Sequence, residues 1–125
     1  MKLELFRLVA AYESFLNIRK SNELPFKLAW EISDLLESLE KHYKRFTDEK
    51  NKLVKEFGEP DEKNSEMYMI KPEKARIFND KIEEIGKTSI ELKEVVKIEK
   101  NKLFDSNIKI NGNIDFVALK LFIRD

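Results

Sequence analysis

The stretch "PFKLAWEISDLLESLEKHYKRFTDEKNKLVKEF", residues 25–57, decides the fold. Its apolar positions Ile32, Leu36, Leu39, Tyr43 and Phe46 follow steps of four and three, and after a gap at Lys50 come Leu53 and Phe57. Ile32, Leu39, Phe46 and Leu53 recur every seven residues, and Leu36, Tyr43 and Phe57 keep the same period. A repeat held this long predicts one helix with a seam that needs another helix along its length. At about 1.5 Å per residue, roughly thirty residues make a rod of about 45 Å. Lys41, Lys44, Arg45, Asp48, Glu49, Lys50 and Lys52 mostly occupy the faces the seam leaves over. Glu37 with Lys41 and Glu40 with Lys44 are in the favourable order for helical ion pairs, each contributing roughly 0.2–0.5 kcal/mol. Such pairs tune the helix without defining it.

Working outward, "KSNELPF" breaks the chain before this helix, and Pro25 suits an early helical position because its missing N–H is not needed there. Either Ser21 or Asn22 is placed to cap nearby. Upstream, Leu5, Phe6, Val9, Tyr12 and Leu16 fall on one face of a first helix over residues 3–19. Downstream, Gly58 and Pro60 stop the rod. The acidic connector 59–66 leads to "MYMIK", a short strand, and Pro72 opens a third helix in which Ala75, Phe78, Ile82 and Ile85 repeat the four–three spacing. Gly86 weakens or ends it. This helix is the natural antiparallel partner of the second, giving a hairpin over about residues 25–86. Residues 89–110 read partly as alternation and partly as helix; the favoured reading places a strand near Val95–Ile98, paired with Met67–Ile70. Asn111-Gly112 suits a tight hairpin. The favoured ending is a short helix carrying Ile114, Val117, Ala118, Leu121 and Phe122, with Asn113 as its cap and Asp115 in its first turn. The expected class is α+β, mostly α: a single domain over 1–125 with a long antiparallel helical hairpin, a short N-terminal helix, a two-stranded β element and a short C-terminal helix.

Composition narrows the function classes. The chain has 125 residues, 42% hydrophobic and 38% charged, which allows a core beneath a very charged surface. Lys and Arg total 24, as do Asp and Glu, so there is no cationic excess of the kind that drives nucleic-acid binding. Cysteine is absent, which excludes disulfides, thiol nucleophiles and thiolate zinc sites. A single histidine excludes a multi-histidine metal site within one chain. Glu4, Arg7 and Glu13 interrupt the first segment, so it lacks the apolar core of a secretion signal. No stretch approaches the roughly eighteen apolar residues of a membrane span. A soluble cytoplasmic protein is expected.

The candidate chemistry is sparse. His42 has Ser38 and Phe46 as helical neighbours, neither a carboxylate that could orient the ring for base catalysis. Glu59, Asp61, Glu62, Asn64 and Glu66 lack the central glycine of a calcium loop. They read as a solvated turn, with Asp61 and Glu62 as a candidate contact for a basic partner. Lys87, Lys93, Lys97, Lys100 and Lys102 are interleaved with Glu91, Glu94 and Glu99, which cancels most of their field. Glu83 with Glu84 or Asp80 could form a catalytic acid pair but reads more simply as helix solvation. Gly58, Gly86 and Gly112 are isolated, so no phosphate loop exists. No cofactor or metal is called for. Trp30, Tyr43 and Phe26 stand out, because amphipathic aromatics are enriched at protein-binding hot spots. Trp30 lies off the seam and either packs on the first helix or faces a partner.

The segments "ELPFKLAWEISDLLESLEK", "EKNKLVKEFGEPDEK" and "NGNIDFVALKLFI" resemble a family of small uncharacterised bacteriophage and prophage proteins of Gram-positive hosts. Leu24, Pro25, Lys27, Leu28, Leu53, Phe57 and Gly58 match its long helix, and Leu119 and Phe122 its final one. The segment "NSEMYMIKPEKARIF" departs from the pattern. The resemblance implies a phage or prophage product acting inside a bacterium and brings no catalytic residues. The expected function is non-enzymatic: binding a host or phage protein through a helical surface, inhibiting a host or defence factor. The rivals are homo-oligomeric assembly, including a homodimer, and a nucleic-acid-binding accessory role.

Overall fold

The computed structural model describes residues 1–64, 66–110 and 114–125. The element order is β1 (Lys2–Glu4), α1 (Leu5–Ser21), α2 (Phe26–Phe57), β2 (Gly58–Pro60), β3 (Tyr68–Ile70) and α3 (Pro72–Gly86). Then follow β4 (Ser89–Glu91), β5 (Ile98–Glu99), α4 (Lys100–Phe104), α5 (Phe116–Lys120) and β6 (Ile123–Arg124). The fold is mostly helical with small β elements, as the patterning predicts.

The rod α2 is unbroken over 32 residues. Its seam is sealed as expected: Ile32, Leu36, Leu39 and Phe46 are buried, and Tyr43, Leu53 and Phe57 are half-buried. Two helices in series do the sealing. Along the first half, α1 runs antiparallel to α2, with Phe6 against Phe46, Tyr12 stacked on Tyr43 and Arg19 reaching Ser33. Along the second half lies α3, with Phe78 edge-on to Phe57 and Ile85 near Leu53. The hairpin of α2 and α3 is therefore present, but α1 is not short: at 17 residues it exceeds α3 at 15.

The two covering helices meet end to end. The Leu5 N–H donates to the Thr88 carbonyl at 2.9 Å, and Gly86 lies directly against the Phe6 ring. The negative end of the α3 dipole thus faces the positive end of α1, a favourable arrangement. Antiparallel pairing of β1 with β4, Leu3 opposite Ile90, fastens the joint. The first residues of the chain are therefore strand rather than helix, because pairing with β4 satisfies their backbone groups.

The strand expected at Val95–Ile98 does not pair with Met67–Ile70. Instead β3 pairs antiparallel with β2, and Ile98–Glu99 pairs in parallel with β6. The reason is loop closure: β2 and β3 are separated by a short connector, and a short loop costs less entropy than a distant pairing. Within that connector the Asp61 carboxylate accepts from the Lys63 N–H and the Asn64 side chain from the Glu66 N–H. These side-chain turns of Asp61 and Asn64 help build the hairpin, while Glu59, Glu62 and Glu66 are exposed, as a solvated turn requires.

The C-terminal elements dock on α1. The buried Ser14 hydroxyl accepts the Asp115 N–H at 3.0 Å, and the Asp115 carboxylate caps α5 by accepting the Ala118 N–H at 3.0 Å. Asp115 is thus the cap rather than a first-turn residue; Asn113 and the Asn111-Gly112 turn lie outside the described residues. Neither Ser21 nor Asn22 caps α2. Asn22 donates to the Ile18 and Lys109 carbonyls and accepts the Lys109 N–H, closing α1 and clamping the C-terminal loop. Ser14→Ala should cost about 1–3 kcal/mol, because it strands a partly buried N–H. Denaturant midpoints of the two proteins test this.

Candidate functional site

The α2 core stripe places its opposite face. Leu28 and Ile32 flank Trp30 by two residues each, about 200° around the helix. Both are buried, so Trp30 projects away from the core and away from α1. It is 62% exposed, and Phe26, one turn earlier, is 76% exposed. The two rings lie 5.7 Å apart, tilted by 46°. Phe26 opens the helix directly after Pro25, whose fixed backbone starts the first turn without any side-chain cap.

An open groove runs along each side of this aromatic ridge. One, of about 390 Å³, is lined by Phe26, Ala29, Trp30, Ser33, Asp34 and Glu37. The other, of about 460 Å³, is lined by Phe26, Lys27, Trp30 and Glu31. Glu31 is held by Lys102 of α4 at 2.7 Å, which anchors the C-terminal elements to α2. Asp34 and Glu37 form no ion pair among the described residues. The expected Glu37–Lys41 and Glu40–Lys44 pairs are likewise not among those formed; in solvent, holding two long side chains together costs about what the attraction returns.

The other candidate residues sit apart. The Tyr43 ring stacks on Tyr12 with centroids 4.0 Å apart, and its hydroxyl donates to Glu13 at 3.3 Å. Burial first, then the Glu13 carboxylate, raise its pKa above the usual tyrosine value. Tyr43 therefore belongs to the α1–α2 contact. Asp61 is committed to its turn, while Glu62 is exposed near the tip of the β2–β3 hairpin. The hairpin also exposes Met67 and Met69, read from the sequence only as part of a strand. His42 is half-buried, and burial followed by Lys41 and Arg45 lowers its pKa, favouring the neutral ring.

Of the interleaved lysines, Lys87 pairs with Glu83 at 2.7 Å, Lys102 pairs with Glu31 and Glu99, and Lys100 lies over the Phe104 ring. Among the described residues, no three His, Asp or Glu side chains are grouped as a metal site requires. No helix among them is long and apolar enough to cross a membrane. Asp34 and Glu37 were missed as site residues, although their steps of four and seven from Trp30 put them on its face. Comparison with protein-family models, curated proteins and solved structures found no match.

Proposed function

We propose that this chain is a non-enzymatic binding protein that presents the start of α2 to another protein. The observation that carries this reading is the position of its single tryptophan, at the pole of α2 opposite the core with Phe26 beside it. Two large rings four residues apart are the anchors of a helix-in-groove contact, and each gains on leaving water for a partner's pocket. On the resemblance of its segments to bacteriophage proteins, the proposed target lies inside a bacterial host, and occupation of a site on that target would be the mechanism.

The test is affinity capture from bacterial lysate with the native protein, Trp30→Ala and Phe26→Ala, followed by titration of the purified partner. Trp30→Ala should retain its thermal stability to within about 0.5 kcal/mol, as an exposed substitution does. It should also lose the partner. Because Trp30 is the only tryptophan, its emission should shift to the blue as the partner covers it. Equal capture by the native protein and both variants would reject this surface. A dimer stable at low micromolar concentration and broken by Trp30→Ala would assign the surface to a second copy.

A further inference from the structure

Resting on that reading, we propose that the groove between Trp30 and the carboxylates of Asp34 and Glu37 takes an arginine side chain from a basic segment of the partner. The support is charge complementarity. The six side chains lining this groove include two carboxylates and no cation. Lys27 lies in the groove on the other side of the ridge. Arg19 approaches as far as Ser33, donating to its hydroxyl at 3.4 Å, and among the described residues it forms no ion pair with either acid.

A guanidinium fits these groups in two ways at once. Its flat face stacks on an exposed indole, attracted by the ring's negative face. Its edge presents paired N–H donors, which carboxylates accept in short charge-assisted bonds. Asp34 and Glu37 follow Trp30 by one and two turns, so stacking and pairing draw on one side of one helix. Lysine offers a point charge without the planar stack, and a phosphate group would be repelled by both acids.

The experiment titrates the full chain with a synthetic peptide of alternating arginine and glycine, and with matched lysine and citrulline versions. Binding is read by Trp30 emission and by calorimetry. The arginine peptide should bind more tightly than the lysine peptide, and the uncharged citrulline peptide should lose about tenfold or more. Asp34→Asn with Glu37→Gln should weaken the arginine peptide by about tenfold or more. Glu56→Gln with Glu73→Gln makes the same change of charge elsewhere and should leave affinity within about twofold. Equal loss in both double variants, equal binding of the citrulline peptide, or no binding at all would overturn the proposal. So would burial of Trp30 in a dimer of the pure protein. A captured partner that depends on Trp30 but is indifferent to Asp34→Asn with Glu37→Gln would reject the arginine site while leaving the binding surface standing.

Discussion

Phe46→Ala should destabilise the protein by about 3–5 kcal/mol, the largest loss expected from a single side chain of α2. Phe46 is 7% exposed and lies at the changeover between the two helices that cover the rod, with its ring edge-on to Phe6 at 5.9 Å. Truncation removes the transfer free energy of the ring and leaves a cavity whose walls come from more than one helix. The edge-on pair adds about 0.5–1.5 kcal/mol beyond buried area. Circular dichroism during thermal unfolding should show a fall of roughly 10–20 °C. Tryptophan emission is the wrong probe, because Trp30 is already in water. Trp30→Ala supplies the control: same helix, same residue class, mostly exposed. If the two variants melted together, the changeover at Phe46 would not be a structural joint.

Gly86→Ala should also destabilise, against the sign that helix propensity alone predicts. Alanine within a helix is worth about 1 kcal/mol over glycine. At this position, however, a methyl group would overlap the ring carbons of Phe6 far inside van der Waals contact. The ring must swing away, giving up its contact with Phe46, and overpacking of this kind costs typically about 1–3 kcal/mol. The penalty should fall where α3 meets α1, loosening the β1–β4 pairing nearby, so amide exchange at Leu3 and Ile90 should quicken. Removing the obstructing ring gives the cross-check. In a Phe6→Ala background, Gly86→Ala should become neutral or stabilising, because only the propensity gain remains. A stabilising effect in the native background would mean that Phe6 is not packed on Gly86.

These two residues also mark how far the chain can be read without its fold. Phe46 was legible, since its place in a seven-residue repeat marks it as core wherever the partner helix comes from. Gly86 was not: the same glycine that signals a helix end also makes room for an aromatic ring eighty residues away in sequence. The candidate site divides the same way. Phe26 and Trp30 were recognisable by residue type and by their position off the seam, but type does not say which way a ring faces. Tyr43 shares their residue type but lies on the seam, and it is stacked on Tyr12 because α1 passes over that turn of α2.

Helix α2, its buried stripe and its stop at Gly58 were legible from the chain alone, because periodicity and backbone-restricting residues act within a few turns. Strand partners were a different matter. Each strand here is two or three residues long, too short to carry a pairing preference. Lys2–Glu4 meets Ser89–Glu91 because packing on α2 brings the start of α1 to the end of α3. The same packing turns Trp30 outward: with the Leu28 and Ile32 side of the rod buried, the indole lies on the opposite face, 62% exposed and beside Phe26.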